Sequence, residues 1–137
     1  MKKYHLSGFK TIELERPISF GPCPAYKLLI HSDGIVEYWG AYNVKKEGYH
    51  TWKIDSAFIE KLNHLISKHE FFSLKKKSID LISTDMPSCI TKIVLEDGRT
   101  KKINHDYGKD CYPESLEKME NEIDEFSGVK NYTGESR

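Results

Sequence analysis

Residues 19–40, SFGPCPAYKLLIHSDGIVEYWG, hold two alternating runs on either side of Ser32, Asp33 and Gly34. Alternation with a period of two marks a half-buried strand, and an Asp-Gly pair between two such runs is a hairpin signal. The loop length then decides which residues meet. A two-residue Asp-Gly loop sets Ile30 opposite Glu37 and Leu28 opposite Trp39, mixing apolar and charged groups on one face. A three-residue loop, a type I turn closed by Gly34 as the left-handed bulge residue, pairs Ile30 with Val36, Leu28 with Tyr38 and Tyr26 with Gly40. The second register keeps charge out of the core and is the one expected. It makes Tyr26, Leu28, Ile30, Val36 and Tyr38 an inner face and leaves Lys27, Leu29, His31, Ile35, Glu37 and Trp39 outside. Three of those outer positions are apolar where the alternation asks for polar residues.

Working outward, KTIELER (10–16) alternates Ile12 and Leu14 with charged neighbours and stops at Pro17. EGYHTWKID (47–55) reads as a strand with Trp52 and Ile54 inward, after which Asp55 or Ser56 caps a helix over 56–70 lined by Phe58, Leu62, Leu65 and Ile66. Residues 73–88 lack periodicity and read as a long connection with a solvated run at Lys75, Lys76 and Lys77. Two further strands, 89–95 and 99–106, turn at Asp97-Gly98 and align Ile93 and Leu95 with Ile103. Pro113 then opens a helix lined by Leu116, Met119, Ile123 and Phe126, with Gly128 as its C-terminal cap. Strand, turn, strand and helix thus occur twice. The pattern predicts an α+β fold in which an antiparallel sheet of about six strands carries two amphipathic helices on one face. Residues 1–128 are expected to form a single domain and 129–137 a flexible C-terminal tail.

The totals narrow the function classes. The 137 residues suit one domain with one core. Twenty-one Lys and Arg balance 21 Asp and Glu, so no net field draws the chain onto nucleic acid or an anionic membrane. The lysines at 45 and 46, 75 to 77 and 101 and 102 are interspersed with acids and read as solvated loops rather than a nucleic-acid patch. No run approaches transmembrane length, and YHLSGFKTIELERP supplies no apolar core for a signal peptide. The expected location is the cytoplasm, with a removed leader left open. Nucleotide-binding and serine-hydrolase motifs are missing, as is HExxH, and His64 and His69 are five apart, which does not place them on one helix face. No metal and no cofactor are expected.

The hairpin also resembles an uncharacterised bacterial domain-of-unknown-function family whose signature runs C-F-G-x-C-P-x-Y and then D-G-x-V-x-Y-x-G. Phe20, Gly21, Cys23, Pro24, Tyr26, Asp33, Gly34, Val36, Tyr38 and Gly40 match it in order. Weaker echoes at Gly48, Trp52, Phe71, Phe72, Asp85, Pro87 and Gly98 extend the likeness over about residues 10–127. Ser19 stands where the family pattern often has its first cysteine, so a disulfide or metal shared between that position and Cys23 is closed to this chain. The resemblance implies a fold and no activity.

Candidate chemistry is sparse. Cys23 would need a lowered thiol pKa and a base within reach, and its surroundings in sequence offer none. A small thiol filling a niche in the bend beneath Tyr26 is the simpler reading. Cys89 and His105 face each other in the bulged register and form the second thiol candidate, alongside the plainer reading of a cross-strand contact. Asp33 and Asp97 belong to turns, and Asp85 in TDMP has no turn pattern to absorb it. The outer positions Leu29, Ile35 and Trp39 remain: either a chain segment such as 73–88 covers them, or they meet a protein partner or a second subunit. Two functions follow for testing. The first is a non-catalytic binding or assembly domain using that face. The alternative is a small thiol-dependent or redox-responsive protein using Cys23 or Cys89 with His105.

Overall fold

A computed structural model describes residues 8–18, 23–76, 87–107 and 112–134. Six strands form one antiparallel sheet: β1 (Phe9–Arg16), β2 (Ala25–His31), β3 (Ile35–Tyr42), β4 (Gly48–Lys53), β5 (Ser88–Leu95) and β6 (Thr100–Asp106), in the spatial order β4-β3-β2-β1-β5-β6. The helices are α1 (Ser56–Lys68), α2 (Glu114–Ser127) and a short α3 (Lys130–Thr133), with a single 3-10 turn at Phe71–Ser73. The α+β architecture and the helices on one face are those the sequence predicts.

The first hairpin adopts the three-residue loop. Ile30 pairs with Val36, Leu28 with Tyr38 and Tyr26 with Gly40, and Gly34 N–H donates to His31 O at 2.9 Å. Gly34 holds φ at +98°, and a Cβ there would sit 2.5 Å from Ile54 O, so both dihedral and space demand glycine. Asp33 Oδ1 accepts from Ile35 N–H at 3.0 Å and stiffens the turn. Gly40 is a matter of space: a Cβ would fall 2.3 Å from Lys46 O, the same carbonyl that accepts the Tyr38 hydroxyl at 2.8 Å.

One face of the sheet supplies the core. Ile12, Leu14, Leu28, Ile30, Val36, Tyr38, Ile93 and Ile103 are buried under Leu62, Leu65 and Ile66 of α1 and Leu116, Met119 and Ile123 of α2. Each large aliphatic side chain so buried contributes about 1.5–3 kcal/mol. Asp55 caps α1 by accepting from Ala57 N–H and Phe58 N–H, and Gly128, at φ +82°, closes α2. Phe58 departs from expectation, for it is exposed and lies under Lys61 Nζ at 5.2 Å.

The chain does not stop packing at Gly128. Val129 is buried, Tyr132 stacks on Trp52 with ring centroids 4.2 Å apart, and the backbones of Lys45 and Lys46 donate to Thr133 O and Tyr132 O at 3.1 and 2.8 Å. Residues 129–134 are therefore docked on the β3/β4 end, because aromatic surface at 132 outweighs the polar composition around it. The expected bend at 19–22, the role of Asp85, most of the 73–88 connection, Cys111 and residues 135–137 lie outside the described residues. No helix among the described residues is long and apolar enough to cross a membrane.

Candidate functional site

The outer face is set by the parity of the hairpin. On β3, Ile35 is 41 % and Trp39 36 % exposed, whereas Leu29 on β2 is half-buried between neighbouring strands. Trp39 pairs with Tyr49, which is 52 % exposed, and their rings meet at 5.3 Å. Lys27 Nζ lies 5.8 Å from the Trp39 ring centroid and 3.6 Å from Glu13 Oε2, so its aliphatic stem runs along the same surface. Glu37 separates Trp39 from Ile35. It accepts from the Tyr49 hydroxyl at 3.0 Å and lies 2.6 Å from His31 Nε2, and these hydrogen bonds, His31 first, hold its carboxyl below the ordinary range. The structure thus joins Trp39 to Tyr49 and Lys27, and leaves Ile35 apart at the strand start. Sequence reading missed Tyr49, although its odd position in β4 puts it on the Trp39 side.

Trp39 also walls a cleft of about 270 Å³ with Lys27, Glu15, Ile18, Ala25 and Ala41. The cleft opens where the β2/β3 register shifts between Ala25 and Tyr26, so that Ala25 pairs with Tyr42 and Ala41 is the extra residue. A bulge at a strand end re-aims its side chains, and here it spreads the face around the tryptophan.

The thiol candidates are placed differently. Cys23 is half-buried at the entry to β2, and Cys89 is 0 % exposed in β5. Cys89 and His105 are register partners, as the bulged turn at Gly98 requires. Burial pushes the Cys89 thiol well above its usual range, which opposes thiolate formation. The His105 ring is engaged elsewhere: Nδ1 faces Glu120 Oε2 at 2.8 Å.

That contact is one end of a buried polar network between the sheet and α2. Arg16, 2 % exposed, donates from Nη2 to Asp124 Oδ2 at 2.8 Å and to Asn121 Oδ1 at 3.3 Å. Its Nε donates to Asp124 Oδ2 and to the Tyr26 hydroxyl, both at 3.1 Å, and its Nη1 to the Tyr107 hydroxyl at 3.2 Å. Tyr107 in turn donates to Glu120 Oε1. Burial, before any neighbouring charge, drives the Tyr26 and Tyr107 hydroxyls up in pKa and keeps them as donors. Asp124 Oδ1 is buried without a partner among the described residues. The guanidinium is spent on protein acceptors, so the network fixes α2 on the sheet and offers no open position for chemistry. A signal for it existed in the sequence: Arg16 shares the parity of Ile12 and Leu14, and Glu120 and Asp124 fall in the stripe of Leu116, Met119 and Ile123. Charges of opposite sign at core positions point to a buried pair.

On the opposite side, α1 and α2 leave a groove of about 440 Å³ lined by Lys61, His64, Leu65, Glu122 and Phe126 among others. Among the described residues no three His, Cys, Asp or Glu side chains group to hold a metal ion.

Residues 10–127 match the family described as Domain of unknown function (DUF6438), and the chain belongs to it. No curated protein matches the chain.

Proposed function

We propose that this member of the family is a non-catalytic binding or assembly module whose docking surface is the outer face of β2, β3 and β4. The observation that carries the reading is the pair Trp39 and Tyr49, packed on each other yet 36 % and 52 % exposed on a sheet face with no helix over it among the described residues. Tryptophan and tyrosine are the side chains that anchor protein interfaces, because they bring large area at small entropic cost. Lys27, Glu13 and Glu37 supply a polar rim. Free Cys23 and Cys89 support a reducing, cytoplasmic setting. Thiol chemistry at Cys89 with His105 is the weaker reading, since the thiol is buried and the imidazole is engaged by Glu120.

The test is Trp39→Glu, read by sedimentation and by urea unfolding. Association, with itself or with a captured protein partner, should fall at least about tenfold, a change of 1.4 kcal/mol. The urea midpoint should hold. Unchanged association would remove the face from consideration.

A further inference from the structure

β4 is the outermost strand on its side of the sheet. Ile54 N–H donates to Gly34 O at 2.8 Å, and this bond fixes the phase of the β3/β4 ladder. The even residues Gly48, His50 and Trp52 turn their backbone groups toward β3, and in an antiparallel ladder the alternate residues turn theirs away. Tyr49, Thr51 and Lys53 therefore present their N–H and C=O groups to the free edge, and all three are exposed. No backbone bond reaches them from another described residue.

We infer that this edge pairs with the same edge of a second copy, antiparallel about a two-fold axis at Thr51. That axis sets Thr51 opposite Thr51 of the second copy and Tyr49 opposite its Lys53. Every outward residue of β4 then lies in a hydrogen-bonded pair, giving about six backbone bonds for three residues from each chain. No like charges oppose each other in these pairs, and each Lys53 ammonium meets a Tyr49 ring. The surface is self-complementary, as a two-fold contact requires. Two sheets become one twelve-stranded sheet by this operation, and the Trp39 and Tyr49 clusters of both copies lie on its same face.

The far edge shows why β4 is the one chosen. Leu95 N–H donates to Arg99 O at 2.8 Å, which turns Thr100, Lys102, Asn104 and Asp106 of β6 outward. A lysine in the middle of an edge blunts pairing. β4 carries its lysine at the end, where the partner's tyrosine receives it.

The inference rests on the docking reading of the outer face, since Tyr49 belongs to both, and one experiment separates them. Sedimentation equilibrium of the full chain from roughly 10 µM to 1 mM should show a concentration-dependent dimer. Thr51→Pro removes the outward N–H at the axis and leaves the backbone bonds to β3 in place, because proline is tolerated where an edge N–H faces away. The bond from the Thr51 hydroxyl to Val36 O at 2.8 Å is lost equally in Thr51→Val, which makes that variant its control. Thr51→Pro should weaken dimerisation more than about tenfold, while Thr51→Val, which keeps the N–H, leaves it within about threefold. Far-UV circular dichroism and the urea midpoint report whether Thr51→Pro still folds; if it does not, loss of the dimer in Lys53→Glu serves in its place. A chain that is monomeric throughout overturns the second copy and leaves the face reading standing. A dimer dissolved by Trp39→Glu but not by the edge variants overturns the edge register alone. A dimer indifferent to all of them overturns both.

Discussion

The two hairpins turn in the same way and cover different things. Gly34 and Gly98 both hold positive φ, and Asp33 and Asp97 each accept from the backbone two residues on, at 3.0 Å. Yet β2 and β3 turn hydrocarbon and tyrosine rings inward, with Tyr26 touching the Arg16 network at its edge. By contrast, β5 and β6 add Cys89 and His105 to Ile93 and Ile103, and His105 is tied to Glu120 of α2 in the network that Arg16 of β1 forms with Asp124. A shared turn sets register and parity. What the inward positions carry decides whether a half of the sheet is held by packing or by paired charge.

The strongest way to break that contrast is Asp124→Ala. It leaves the Arg16 guanidinium buried without its carboxylate and should cost about 3–5 kcal/mol in urea unfolding. Replacing both partners, Arg16→Met with Asp124→Leu, should recover most of this, since a buried pair exchanged for well-packed apolar groups is often neutral. If the double variant is as unstable as the single one, the network is holding something other than a charge pair.

Next in size are the turns themselves. Gly98→Ala should cost about 1–2 kcal/mol for the left-handed backbone alone, because a Cβ there meets nothing within 4 Å. Gly34→Ala carries the same strain and also drives a methyl against Ile54 O. Equal midpoint shifts for the two would mean that the first turn yields as freely as the second.

Alkaline titration sharpens the comparison further. Burial pushes Tyr38 up to about 12. The unfolded chain gives up this proton near pH 10 while the folded chain keeps it, so the stabilisation is present below pH 10 and is lost as pH rises toward 12. Tyr38→Phe should flatten the fall of stability across that window by up to about 1.4 kcal/mol per pH unit. An unchanged slope would move the alkaline sensitivity from Tyr38 to Tyr26 of the same hairpin and to Tyr107 and Cys89 of the other half, all held protonated by burial. The smallest effect belongs to the outer face: Trp39→Glu should move folding stability within about 0.5 kcal/mol.

The register of the first hairpin was legible because a wrong loop length would have buried Glu37, and only one alternative kept it out. The boundaries of α1 and α2 were legible from Asp55 and Gly128. The Arg16 network was harder, since ELER reads as a solvated strand end until α2 is known to lie above it. Its charges come from residues 108 apart in sequence, a separation that no local pattern spans. The docked segment after Gly128 was hidden for the same reason, because Trp52 must first be in place for Tyr132 to stack on it.

That stacking equips the molecule with two separate optical reporters. Trp52 donates its Nε1–H to Ser127 O at 2.7 Å and lies against Tyr132, so its emission follows the seating of the last residues. Trp39 stands on the other side of the sheet, partly in water, and its emission follows whatever meets that side. With only two tryptophans in the chain, replacing either one by phenylalanine leaves a single signal for a single event.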